Sequence, residues 1–79
     1  MMNLEILTPD KSVFTGEVSL IQLPGIDGSF EILNNHAPLI SVLKEGKVRV
    51  KDNKGQEQFF EIKGGVIEVL KNKVLILAE

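Results

Sequence analysis

Apolar and polar residues alternate along most of this chain, in short stretches separated by turn-forming residues. The clearest stretch is Lys47–Lys51, where Val48 and Val50 lie between basic residues. Successive side chains of a β-strand point to opposite faces, so this period of two predicts a strand with one apolar face. Other segments with strand-like composition are Asn3–Thr8, Val13–Leu23, Ser29–Leu33, Leu39–Leu43, Gln56–Lys63, Val66–Leu70 and Val74–Ala78. No segment keeps a helical period for long.

The segments between these strands carry turn signals. Asp52–Gly55 is a good hairpin connection, because Asn and Gly adopt positive φ at low cost. Gly64 and Gly65 interrupt a strand-like run and predict a bulge or a sharp bend. Many short strands with a turn about every 8–12 residues are typical of a sandwich or barrel. We therefore expect one all-β domain over residues 1–79, either a sandwich or a barrel.

Composition and charge restrict the functional classes. The chain has 79 residues, no cysteine and a formal net charge of −2. These values exclude disulfides and thiolate metal sites and disfavour general nucleic-acid binding, which depends on neutralising phosphates. The first residues lack the basic segment followed by an apolar stretch that is typical of a signal peptide. The longest apolar run, Val74–Ala78, is too short for a membrane helix. We expect any membrane contact to be indirect.

The last two strand segments are apolar on both faces. In Val74–Ala78, Leu75 and Leu77 point away from the face that carries Val74 and Ile76. One interpretation is that loops cover the second face within the domain. The other is an exposed apolar patch that a partner covers. Both agree with a binding module.

The sequence contains few parts for catalysis. The eleven acidic residues are scattered, and no pair has a spacing that suggests acid–base chemistry. His36 is the single histidine, and no serine lies in a nucleophile motif. Gly25–Gly28 is too short for a phosphate loop and lacks the following Lys-Ser/Thr. We predict no catalytic residue, no metal site and no cofactor.

Five of the nine basic residues fall within a short stretch, at Lys44, Lys47, Arg49, Lys51 and Lys54. A basic strand face is either a solvated edge or a site for an anion or acidic partner. One alternative function is therefore an anion- or nucleic-acid-binding β-barrel, although no aromatic residue lies beside the charges. A second is a lipoyl- or biotinyl-like carrier domain with Lys54 on its hairpin, but Asn53 and Gly55 replace the apolar neighbours of a carrier lysine.

Four blocks of sequence together resemble the N-terminal domain of the epsilon subunit of F-type ATP synthases. They occur in order and cover essentially the whole chain. Two of them are Leu4–Asp10 with Val13–Val18, and Leu23–Leu33 with His36–Ile40. The others are Lys63–Val69 and Lys73–Ala78.

The resemblance implies a small flattened β-sandwich of about ten short strands, a non-catalytic domain in the central stalk of the rotor. There the domain would bind the gamma subunit and the ring of c subunits and help couple ion flow to ATP synthesis. It also implies a peripheral location at the cytoplasmic face of a bacterial inner membrane. Family members usually continue into two inhibitory C-terminal helices. If this chain naturally ends at Glu79, we expect it not to inhibit ATP hydrolysis.

The resemblance and the strand periodicity together assign candidate residues to these partners. Ser29 and Glu31 alternate with Phe30, which we expect in the core, and with His36 they are the predicted contact to the c ring. Leu75 and Leu77 are the predicted contact to gamma. The family commonly has Pro-Gly where this chain has Asn34-Asn35, and asparagine preserves a left-handed turn at that point.

Overall fold

The computed structural model describes residues 1–79 as nine β-strands with no helix. The predicted number was about ten. The strands are β1 Met2–Leu7, β2 Ser12–Val18, β3 Leu20–Gly25, β4 Gly28–Leu33, β5 Leu39–Leu43, β6 Gly46–Lys51, β7 Glu57–Ile62, β8 Gly65–Leu70 and β9 Lys73–Ala78.

The segment Val13–Leu23 forms parts of two strands, which separate at Ser19. At this corner the Ser19 backbone N–H donates to the Lys51 carbonyl over 2.7 Å. Its hydroxyl donates to the carbonyls of Lys51 and Asp52 at 3.2 and 3.1 Å. The side chain thus ties the corner to the end of β6, so the chain leaves β2 and enters a different part of the sheet.

All nine strands belong to one curled sheet with the order β2-β1-β9-β8-β5-β3-β6-β7, and β4 pairs with β3. The β1–β9 pair is parallel and the other pairs are antiparallel. Strands β5 and β3 share only the Gly25–Leu43 pair, so the sheet bends there. The first layer of the sandwich is β2-β1-β9-β8-β5, and the second is β4-β3-β6-β7.

Sixteen buried hydrophobic residues form one core between the layers, and no polar residue is buried. Alternate residues supply it, for example Val48 and Val50 of β6, as the period of two predicts. At the free edges, the rings of Phe14 and Phe60 pack with centroids 5.5 Å apart. Phe30 packs against the core but is only half-buried, so its predicted place inside is correct in part.

The turns follow the expected chemistry. Asp52 closes the β6–β7 hairpin because its Oδ1 accepts hydrogen bonds from the backbone N–H groups of Lys54 and Gln56, each over 2.9 Å. Gly55 in the same hairpin has φ of 83°. Lys71 and Asn72 join β8 to β9 with φ of 51° and 61°, values typical of a type I′ turn. The predicted bend at the glycine pair is confirmed by a φ of 147° at Gly64 and 154° at Gly65.

Candidate functional site

The outer surface of the first layer carries a continuous set of apolar side chains. Val42 of β5 lies opposite Val66 of β8, Val66 lies opposite Leu77 of β9, and Leu77 lies beside Leu7 of β1. This register aligns one apolar row across four strands. We use the name apolar face for the exposed or half-buried residues Leu7, Ile40, Val42, Val66, Leu70, Leu75 and Leu77.

No loop of the chain covers this apolar face. Ile40 is 72% exposed, Val42 51% and Leu77 50%, while Leu75 is half-buried. Of the two interpretations that the sequence left open, the structure therefore favours the exposed patch. Contiguous apolar patches on small soluble domains commonly mark interaction sites. The predicted gamma residues Leu75 and Leu77 both lie within it.

Ile40 and Val42 are members of the apolar face that the sequence analysis missed. The signal was present, because Leu39–Leu43 has apolar residues on both faces of a strand, as the last two strands do. What the sequence did not contain was the register, which places Ile40 opposite Glu68 and Val42 opposite Val66. The pairing of β5 with β8 turns separate apolar positions into one surface.

Acidic residues lie among these apolar side chains. Glu68 is flanked across the strands by Ile40 on β5 and Leu75 on β9, and Leu75 lies beside Glu5 on β1. A shallow groove crosses this part of the layer, lined by Asn3, Leu4, Glu5, Thr15, Gly16, Glu17, Glu68, Leu70, Lys73, Val74 and Leu75. The surface is thus apolar with embedded carboxylates.

The outer surface of the second layer has a different chemistry, centred on Arg49. Its Nε donates to Gln22 Oε1 over 2.9 Å, and Gln22 Nε2 donates to the Ser29 hydroxyl over 3.2 Å. Its guanidinium also forms ion pairs with Glu31, at 3.6 Å, and with Glu57. These five residues are the arginine cluster. It contains two of the three predicted c-ring residues, Ser29 and Glu31, and both are exposed.

Acidic neighbours accompany the basic strand. Arg49 and Lys51 both pair with Glu57, the latter at 3.9 Å, and Lys47 lies opposite Glu61. Lys44 and Lys54 lie in the loops before and after β6 and so do not extend this face. Because carboxylates on β7 and β4 offset the charge, the surface is a mixed ion-pair lattice. This arrangement weakens the case for an anion- or nucleic-acid-binding site.

His36, the third predicted c-ring residue, is separated from the other two. It follows the C-terminal end of β4, whereas Ser29 is at the N-terminal end, and this strand is about 16 Å long. The His36 loop is tied elsewhere: the Asn35 backbone N–H donates to Asn72 Oδ1 over 2.7 Å, and Asn72 Nδ2 donates to Asn35 Oδ1 over 3.1 Å. The structure therefore brings Ser29 and Glu31 together and leaves His36 apart.

Two further findings concern other kinds of site. The structure contains no group of three or more His, Cys, Asp or Glu side chains placed to hold a metal ion. It also contains no helix of the length and apolarity that crossing a membrane requires.

Comparison with known proteins decides the family. Residues 1–79 match the model of the β-sandwich domain of the ATP synthase delta/epsilon chain. The chain belongs to this family. It is 47% identical over 76 residues to the ATP synthase epsilon chain of Chlorobium limicola, covering 96% of this chain and 86% of that relative.

Solved structures share the fold of this epsilon-family chain. One match comes from the mitochondrial ATP synthase of Euglena gracilis with OSCP, F1 and the c-ring, with a TM-score of 0.92 and 23% identity. It covers 98% of this chain and 49% of the Euglena chain, so our chain spans about half of it. A second comes from the central stalk and c-ring of the Tetrahymena thermophila enzyme, with a TM-score of 0.82, 23% identity and coverage of 98% and 62%.

Proposed function

We propose that this chain is a central-stalk subunit of an F-type ATP synthase that binds gamma and the c ring and helps couple ion flow to ATP synthesis. The observation that carries the proposal is the family match over the full chain. The uncovered apolar face supports a role in protein binding. The two alternatives lack such support, because the basic strand is offset by carboxylates and Lys54 lacks the apolar neighbours of a carrier lysine.

The apolar face is the proposed gamma interface, with Leu75 and Leu77 at its centre. A typical stable interface buries about 600–1,000 Å² on each partner, and an open layer of five strands is broad enough to supply it. Burying a half-exposed leucine contributes about 1 kcal/mol to association. Several such residues in one continuous patch provide the apolar interface core that partner binding needs.

The arginine cluster is the proposed c-ring contact, through Ser29 and Glu31. Both side chains are exposed, and their hydrogen bonds and ion pairs hold them in place from β3 and β6. Polar loops of a partner can meet such a surface without desolvating it completely. His36 remains part of the proposal as a separate contact, because it lies beyond the other end of β4. We place the subunit peripherally, at the cytoplasmic face of a bacterial inner membrane.

The decisive experiment measures the affinity of the purified chain for the gamma subunit. Leu77→Glu places a charge within the proposed interface, so we expect at least a tenfold rise in Kd. The matched control is Leu33→Glu, because Leu33 is 52% exposed but lies on the outer surface of the second layer. That control is expected to change Kd less than twofold.

Circular dichroism of both free variants provides the fold check. Both variants are expected to retain the β-sheet spectrum of the parent chain, since both leucines are half exposed. Equal weakening by the two substitutions would contradict the assignment of gamma to the apolar face. Unfolding of the free Leu77→Glu domain would show that Leu77 belongs to the core.

A further inference from the structure

The carboxylates that lie among and beside the residues of the apolar face form no ion pair within the chain. The three ion pairs of the structure all involve Arg49 or Lys51 of the second layer. Glu5, Glu17 and Glu68 lie on the outer surface of the first layer and form none. On the second layer, Glu31 and Glu57 are paired within the chain, whereas none of these three first-layer carboxylates is.

These carboxylates lie within the region that a partner on the apolar face must cover. Glu68 lies between Ile40 and Leu75, and Leu75 separates it from Glu5. Glu17 lines the same groove from β2. A partner that contacts Leu75 must therefore also exclude water from the carboxylates on both sides of it.

Excluding water from a carboxylate is unfavourable unless a cation or several hydrogen-bond donors replace the water. The groove itself offers one cation, Lys73, against three carboxylates, so its own charge is incompletely balanced. Cationic side chains of the partner can supply the missing positive charge from the other side of the interface. Complementary charge of this kind also accelerates encounter and fixes the register of two partners.

We propose that the partner surface that docks on the apolar face carries lysine or arginine side chains beside its apolar residues, paired with Glu5 and Glu68. Glu17 at the rim of the groove adds to the same negative potential. The inference rests on the proposed function, in which that partner is gamma, and adds the chemistry of the gamma surface. The five strands of the first layer span about 19 Å across the sheet. We therefore expect the basic and apolar side chains of the partner to form a band of similar length across these strands.

The test compares charge reversals on the two outer surfaces. Glu5→Lys and Glu68→Lys are each expected to raise the Kd for gamma at least tenfold at low salt, through slower association and faster dissociation. The difference from the parent chain is expected to shrink at about 0.5 M salt, where charges are screened over a few ångströms. Glu61→Lys is the matched control, an exposed strand carboxylate of the second layer, with an expected change below twofold.

A second measurement identifies the partner groups. Carbodiimide joins a carboxylate to a lysine that touches it, and mass spectrometry of the cross-linked complex is expected to find Glu5 or Glu68 linked to gamma lysines. If the partner cations are arginines, no cross-link forms. The salt-dependent rise in Kd of the two charge-reversal variants is then the result that supports the inference. Weakening by Leu77→Glu together with no effect of either reversal would overturn this inference and leave the gamma interface standing. No effect of all three substitutions would overturn both.

Discussion

At the scale of single residues, Gly65 has the strictest requirement in the chain. It lies at the start of β8 between β5 and β9, with φ of 154°. A methyl group built on it would come within 2.3 Å of the Leu77 carbonyl oxygen. Gly55 in the β6–β7 hairpin also has positive φ, 83°, but nothing within 4 Å of such a methyl group. A substitution at Gly55 therefore tests the cost of positive φ alone, whereas one at Gly65 adds a steric clash.

We therefore predict that Gly65→Ala is much more damaging than Gly55→Ala. At Gly55 only the positive φ is unfavourable, at about 1 kcal/mol for a residue with a side chain. At Gly65 the methyl group also forces β8 and β9 apart, so the loss in unfolding free energy is expected to exceed about 2 kcal/mol. Urea unfolding of both variants measures this, and equal losses would show that the close approach to Leu77 is relieved without cost.

At the scale of elements, Asn72 joins three segments that are distant in sequence. It occupies the β8–β9 turn with φ of 61°, and its carbonyl accepts the Asn3 backbone N–H over 2.8 Å. Its side chain exchanges two hydrogen bonds with Asn35 in the loop after β4. One asparagine thus positions the His36 loop against the first layer.

We predict that Asn72→Ala loses about 1–2 kcal/mol of unfolding free energy, through the αL backbone and the lost hydrogen bonds together. Asn72→Gly keeps the backbone conformation and removes only the side chain, so about half that loss is expected. Amide hydrogen exchange at Asn35 is expected to rise in both variants, because its N–H loses its acceptor. Unchanged exchange at Asn35 would contradict the proposed tie between the two turns.

At the scale of the whole molecule, the curled sheet presents two chemically distinct outer surfaces. The first layer is apolar with unpaired carboxylates, and the second carries the arginine cluster. A domain with such a division can contact two different partners at once. This is the property that a subunit between gamma and the c ring requires.

The distance of His36 from Ser29 and Glu31 leads to a test of coupling between the predicted c-ring residues and ion pumping. We predict that Ser29→Ala with Glu31→Gln lowers ATP-driven ion pumping at constant hydrolysis, by up to about fivefold, since exposed polar contacts contribute about 0–1 kcal/mol each. His36→Ala alone is expected to have a small effect, and to add independently to the double change because it lies beyond the far end of β4. Quenching of a pH-sensitive dye in inverted membrane vesicles measures pumping if the ion is a proton.

Two controls accompany this prediction. Thermal unfolding of the free chain reports any loss from breaking the ion pair of Glu31 with Arg49. Gln58→Ala, on the exposed edge strand β7, provides a matched change of a polar side chain outside the cluster. A larger effect of His36→Ala than of the double change would move the ring contact to the other end of β4.

The sequence by itself determined the fold class, most strands, the turns and the family. Val48 and Val50 were correctly predicted to share the apolar face of one strand, and Asp52–Gly55 was correctly predicted to connect a hairpin. The family follows from four sequence blocks in the order typical of it. The strands and turns follow from local signals, namely side-chain alternation and the conformational freedom of Gly and Asn. Such signals act over a few residues, so they can be read without knowing which strands pair.

Only the tertiary structure decided which residues share a surface. The sequence could not tell whether loops cover Leu75 and Leu77, because that depends on the pairing of β5, β8 and β9 and on where the loops run. The resemblance and the strand periodicity grouped Ser29, Glu31 and His36 as one contact, but the extended strand β4 places His36 beyond the opposite end from Ser29. The sequence also could not show that Arg49 is paired while Glu68 is not. Strand register and sheet curling are long-range properties, set by the packing of the whole core rather than by neighbouring residues.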